Sequence, residues 1–228
     1  MELNTVNAGL TPVSTQQKVL RSTYMMLGLT MIPTVIGAFM GIQMHFGFLA
    51  QHPLIGSLLM LAVMFGLFAG ISANRNNSIG ILLLLLVTFL LGLMLGPILQ
   101  VALHFSNGGQ LIAMAAGGTG AIFLTLATVA TVTKKDFSFL GQFLMVGLVM
   151  LILASIANLF FHVAAASLAI SAIAILIFSG YLLFDVSRIV VGGETNYVMA
   201  TLAIYLDIYN IFVNLLSLLM AFSGNDRR

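Results

Sequence analysis

Apolar residues in this chain come in long runs rather than in stripes, and the runs are separated by short polar breaks. Seven runs stand out, at about 24–44, 54–72, 79–103, 111–132, 139–161, 166–191 and 199–222. Each is close to the roughly 20 residues a helix needs to cross the hydrocarbon core, where every backbone polar group must find its partner within the segment. The breaks are "HFGFLAQHP", "ANRNNS", "HFSNGGQ", "TKKDFS", "HVAA" and "GGETN". Connections this tight make sequential spans antiparallel neighbours. The pattern predicts an all-α polytopic membrane protein with seven transmembrane helices in one bundle over 24–222. A polar tail over 1–23 precedes it and a short C-terminal tail over 223–228 follows.

Composition strengthens that reading. Hydrophobic residues make up 61% of the 228 positions and charged residues 6%, and mean hydropathy is +1.14. Soluble domains are closer to half apolar and a quarter charged, so this chain has more apolar surface than a soluble interior can hide. Eight Lys and Arg against six Asp and Glu leave a net charge of +2, too sparse for a nucleic-acid footprint. With no cysteine, disulfides, thiolate chemistry and Cys-ligated metals are excluded. Residues 1–23 lack an apolar segment with a cleavage site, so the first span is expected to direct insertion. The basic residues then set topology. Lys18, Arg21, Arg75, Lys134, Lys135 and Arg188 fall on one side of a seven-span chain, and Arg227 and Arg228 on the other. The positive-inside rule places the N-terminus in the cytoplasm and the C-terminus outside.

Two acids interrupt the apolar runs. Asp185 and Asp207 each carry a cost of about 2.5–3.5 kcal/mol at a helix centre on insertion scales. Such residues face the bundle interior and find partners there. Measured from the "GGETN" turn, Asp185 lies roughly 9 Å deep and Asp207 roughly 16 Å at 1.5 Å per residue. A tilt of either helix absorbs that difference, so the carboxyl groups can meet. In low dielectric the two cannot both ionise cheaply and would share a proton. The ionised pair invites a cation or an arginine. Arg188, three residues after Asp185, shares its helix face, and Arg75 ends the second span. On the last span Asp207, Asn210, Asn214 and Ser217 form one helical stripe. It reads either as part of a polar pathway or as interhelical hydrogen bonding.

Other constellations carry less chemistry. His45, His52, His104 and His162 gather at the expected outer ends of spans, but no pair has helical metal-ligand spacing. "AAGGTG" at 115–120 lacks the Lys-Ser/Thr of a phosphate loop and reads as small residues for helix contact. "LGPIL" at 95–99 predicts a kink. "GGETN" combines a glycine stop with Thr195 as the expected N-cap of the last span. Lys18, Lys134 and Lys135 all lie outside the spans, which excludes a retinal Schiff base, and no histidine sits at membrane depth for an intramembrane serine protease. The sequence gives no sign of an enzyme or a resident cofactor.

"KVLRSTYMMLGLT", "LGPIL", "TKKDFSFLG", "SGYLLFD" and "GGETNYVMATLAIYLDIYNIFVNLLSLL" together resemble the Bax inhibitor-1/YccA family, and most closely its bacterial YccA-like branch. The resemblance runs from about Lys18 to the C-terminus. It implies seven helices with the last enclosed by the other six. It also implies an aspartate pair, here Asp185 and Asp207, acting as a pH-sensitive latch on a calcium leak, with an arginine of the second helix, nearest Arg75, associated with it. Transient calcium at the pair would be permeant ion rather than cofactor. The branch further implies an inner-membrane protein that binds and restrains an FtsH-type protease, with the polar N-terminal tail accessible to it. The partners expected are thus that protease, the lipid bilayer and, through self-association, a second copy.

Overall fold

A computed structural model describes residues 12–44 and 53–225, and they are all-α. The helices are α1 (Pro12–Gln43), α2 (Pro53–Ala73), α3 (Ser78–Met94), α4 (Gly96–Leu103), α5 (Gly108–Thr133), α6 (Leu140–Phe161), α7 (Ala164–Val191) and α8 (Tyr197–Asn225). Each of the seven apolar runs is helical. Six described segments are long and apolar enough to cross a membrane: Thr15–Gln43, Ser78–Leu103, Gly108–Thr133, Leu140–Phe161, Ala164–Val191 and Tyr197–Gly224. The described apolar part of α2, Leu58–Ala73, is shorter.

Two boundaries differ from expectation. Helix α1 begins at Pro12 rather than near residue 24, so the stretch 12–23 winds into the helix, and Thr23 is wholly buried. The third run is two helices, because the chain breaks at Leu95 between α3 and α4, where Pro97 falls in the first turn of α4. That is the kink expected of "LGPIL": proline fits a first helical turn and not an interior.

Helix α1 crosses α3 and the start of α4 at glycines. A Cβ on Gly37 or Gly41 would run into the carbonyl of Phe89 or Leu93, and one on Gly92 or Gly96 into that of Thr34 or Gly41. Apolar side chains gain little by leaving lipid for protein, so backbone proximity of this kind is what joins helices in a bilayer. Hydroxyls add to it: Thr34 Oγ1 lies 2.7 Å from the Tyr205 hydroxyl, linking α1 to α8. Gln100 of α4 donates to the carbonyls of Gly41, Ile42 and Met44, satisfying orphan acceptors at the end of α1.

Helix α8 packs against α1, α2, α3, α4, α5 and α7, and α6 packs against α7 alone among the described helices. The interior face of α8 carries Val198, Ile204, Tyr205, Ile211 and Leu216, all essentially without solvent exposure. The outward faces are apolar too, as on Phe143, Met150 and Phe160 of α6. That is the surface of a protein whose solvent is lipid.

Candidate functional site

The site starts from a well-built helix end. Gly192 adopts φ 86°, and its N–H donates to the carbonyls of Arg188 and Ile189. The Gly193 and Glu194 amides also reach the Arg188 carbonyl, at 2.7 and 3.0 Å. Glycine reaches this left-handed conformation without steric cost, which is why it stops α7 here. The N-cap of α8 is Asn196, not the expected Thr195. Its Oδ1 accepts from the amides of Val198 and Met199, both at 3.1 Å. Its Nδ2 meanwhile donates to the Arg75 carbonyl at 3.0 Å and to Asn76 Oδ1 at 2.8 Å. An amide can cap and donate at once, and a threonine hydroxyl has a single proton to give. One side chain therefore starts α8 and ties the 192–196 turn to the α2–α3 turn.

Above this turn α7 and α8 bring Asp185 and Asp207 together, each carboxyl within hydrogen-bonding reach of the other. Asp207 is 5% exposed, and its Oδ2 meets no donor. The group opposite it is another carboxyl, which when ionised can only accept. A hydrogen bond between the two therefore needs a proton on one of them. Arg188 and Glu194 lie within electrostatic range of Asp185, and Tyr181, one turn before it on α7, feels both acids. Arg188 divides its charge among neighbours: Nη2 lies 3.8 Å from Glu194 Oε2, and the guanidinium sits 5.6 Å over the Phe184 ring. Both members of the ion pair are partly exposed, which makes it weak.

The remaining predicted positions separate. Arg75 is exposed in the α2–α3 turn, and its bonded group there is its backbone carbonyl. The described ion pair belongs to Arg188. The stripe on α8 does not hold helices together as one reading of it expects. Asn210 Nδ2 donates to the Leu206 carbonyl, Asn214 Nδ2 to that of Asn210 and Ser217 Oγ to that of Val213, each at 2.8 Å. Each of these described bonds goes to a carbonyl of the same helix. Asn210 and Asn214 instead line a cavity of about 290 Å³ between α8, α6 and α7, with Ser155 and Phe178.

His104 and His162 lie on separate loops, their Nδ1 atoms within hydrogen-bond distance of the Gln100 and Phe160 carbonyls respectively. His45 and His52 lie outside the described residues. Among the described residues no three metal-ligating side chains gather. Lys134 ends α5 in the left-handed region. In the same loop the Ser138 side chain and amide hold the Asp136 carboxyl below its usual range. Ser187 fastens that loop to α7: its Oγ donates to the Lys135 carbonyl at 2.9 Å and accepts from the Phe137 amide at 3.1 Å.

Sequence reasoning missed Tyr181, Ser187 and Asn196. Tyr181 had a signal, the four-residue spacing to Asp185 that stacks two side chains on one face. Ser187 had none, because its partner lies in a loop fifty residues earlier in the chain.

A family model described as inhibitor of apoptosis-promoting Bax1 matches residues 16–224. The chain belongs to the Bax inhibitor-1 family. Within it the chain is 42% identical over 216 residues, covering 95% of both chains, to the modulator of FtsH protease YccA of Escherichia coli K12. It is 40% identical over 209 residues to a membrane protein of Vibrio cholerae, covering 92% of each. It is 38% identical over 210 residues to a protein of Neisseria meningitidis, covering 91% of this chain and 92% of the relative. The match includes all of α7 and α8 as far as Gly224, so both carboxyls lie within the family region of the chain.

Proposed function

We propose that this protein is a non-enzymatic, multi-pass regulator of the bacterial inner membrane that modulates an FtsH-type protease. The observation that carries the reading is the 42% identity, end to end, with a protein described as a modulator of that protease. In this reading α2 completes a seven-span bundle with α8 enclosed, the N-terminus is cytoplasmic and the C-terminus lies outside. The concentration of Lys18, Arg21, Arg75, Lys134, Lys135 and Arg188 at one end supports that orientation. The contacts of α8 with six other described helices support its enclosure. Affinity purification from membranes should bring the protease down with this protein, and overproduction should lengthen the half-lives of the protease's membrane substrates. Unchanged half-lives together with no co-purification would overturn the reading.

A second reading of the same bundle is a proton-gated cation leak. The meeting of Asp185 and Asp207 in a buried place favours it, as does the nearby cavity bordered by Asn210 and Asn214. Protonated, the two carboxyls hold α7 to α8. Ionised, they repel and offer hard oxygen ligands of the kind calcium prefers. Calcium flux into liposomes should therefore rise with pH across the titration of the pair, and Asp207→Asn should flatten that rise. A variant with the wild-type pH profile removes this gate.

A further inference from the structure

A groove of about 930 Å³ runs between α1 and α5, floored by Tyr205, Tyr209 and Phe212 of α8. Along α1 it extends from Tyr24 to Ile42. That is roughly 27 Å of helix, against about 30 Å of hydrocarbon in a bilayer. Val35, Phe39 and Leu124 at its margins are exposed apolar residues on spanning helices, so it opens sideways into the lipid. Gly28 of α1 and Gly120 of α5 both line it, and a Cβ at either would meet nothing within 4 Å. The small residues of "AAGGTG" thus divide. Gly118 packs on Leu215 of α8, as expected of a helix contact, and Gly120 leaves space. An apolar space of this length suits a hydrocarbon chain lying along it.

The charge at one end of the groove marks what carries that chain. Lys18 and Arg21 precede Tyr24 on α1 by about two turns and one, and Lys134 follows Thr131, a lining residue of α5, by about one. Tyr24 meets Phe123 edge-on at 5.9 Å, which sets the depth of one wall against the other. Measured from that contact, the Lys18 backbone lies roughly 9 Å and the Lys134 backbone roughly 16 Å toward the same end. Long side chains lean toward the N-terminus of their helix, and on α1 this carries the Lys18 and Arg21 heads toward the level of Lys134. All three cations are exposed, and none pairs with a described acid. Glu194 is held by Arg188, and the Asp136 carboxyl by the Ser138 side chain and amide. The positive-inside rule accounts for the end at which these residues lie. It gives no reason for three of them to stand on the two walls of one groove. Basic residues between spanning helices at a membrane surface are the arrangement that holds an anionic lipid headgroup.

We propose that this groove is a binding site for an anionic phospholipid, one acyl chain lying along Gly28 and Gly120 and the phosphate held by Lys18, Arg21 and Lys134. Arg21 offers the phosphate a fork of donors, and the lysines add charge. A zwitterionic lipid brings its own ammonium to the same place and gains less there. The site is independent of the protease reading.

Native mass spectrometry of the full chain, released from nanodiscs of equal phosphatidylglycerol and phosphatidylethanolamine with the same acyl chains, reads the retained lipid directly. Phosphatidylglycerol should be retained in preference. Arg21→Gln should weaken that preference about fivefold, the worth of one cation at an anionic surface. Arg75→Gln makes the same charge change at an exposed residue of the α2–α3 turn and should leave the preference intact. Gly120→Leu has room for its Cβ and fills the path of the chain, so it should lose the retained lipid. Arg21 is exposed, so its variant keeps the test decisive even where Gly120→Leu lowers the folded yield. Equal retention of the two lipids by the wild type, or equal effects of Arg21→Gln and Arg75→Gln, would overturn the proposal. So would a lipid-free dimer, which would give the groove to a second copy of the chain.

Discussion

At the scale of single residues, the helix end below the acids makes a sharper test than the acids themselves. Gly192 combines a left-handed backbone with a tight neighbour, since a Cβ there would come 2.8 Å from Gln16 Nε2. An L-residue in that conformation costs about 1–2 kcal/mol. Gly192→Ala should therefore lower the thermal midpoint of the detergent-solubilised protein, and Gly193→Ala, with normal space around it, should lower it less. The acids behave differently. Asp207→Asn replaces one acceptor-only group by an amide that donates, so the Asp185 contact survives in a form that pH cannot break. Its midpoint should become less sensitive to pH than that of the wild type. An unchanged dependence in the variant would show that the pair does not titrate as a unit. Legibility at this scale followed chemistry. The cost of a carboxylate in a bilayer marked Asp185 and Asp207 from sequence alone, and hydroxyl and amide partners such as Ser187 and Asn196 carried no comparable penalty to mark them.

At the scale of elements, the turns decide how helices are joined. Asn196 performs two tasks that substitution can separate. Asn196→Asp keeps the oxygen that caps α8 and removes the amide protons given to Arg75 and Asn76. Asn196→Ala removes both and forfeits about 1 kcal/mol of capping. Hydrogen exchange at residues 74–78 should accelerate in both variants, and exchange in the first turn of α8 only in Asn196→Ala. Crossing points obey a harder constraint. A side chain at Gly41 must displace the backbone of α3, so Gly41→Ala should destabilise by about 1–3 kcal/mol, as overpacking does, with reduced folded yield in detergent as the readout. Runs of apolar residues located every helix, because a bilayer demands length and hydrophobicity alike. They could not show that α1 starts at Pro12, because helices continue past the hydrocarbon; the break at Leu95 was marked instead by Pro97 of "LGPIL". The polar stripe of α8 was visible as a stripe, yet its hydrogen bonds fold back on their own backbone, an outcome spacing cannot distinguish from contact across helices.

At the scale of the whole molecule, the question is how a bundle with an apolar exterior and few charges acts on a partner. The described surface within the membrane offers mostly lipid-compatible faces, and α6 leaves most of its circumference outside the bundle. The cytoplasmic end in the proposed orientation is small: short turns drawn together by Asn196 and by Ser187, with Arg188 and Glu194 occupied by each other. Residues 1–11, which precede α1, carry a single acid, Glu2, and no basic residue. Removing residues 1–11 leaves α1 and its buried Thr23 intact, so the truncated protein should still insert and keep its thermal midpoint within a few degrees. If the tail is the point of engagement, overproducing the truncated form should no longer slow the protease's membrane substrates, while co-purification through the membrane helices persists at reduced yield. Full retention of the slowing by a correctly folded truncation would move the regulatory contact into the bilayer, and the exposed face of α6 would then be the next surface to mutate.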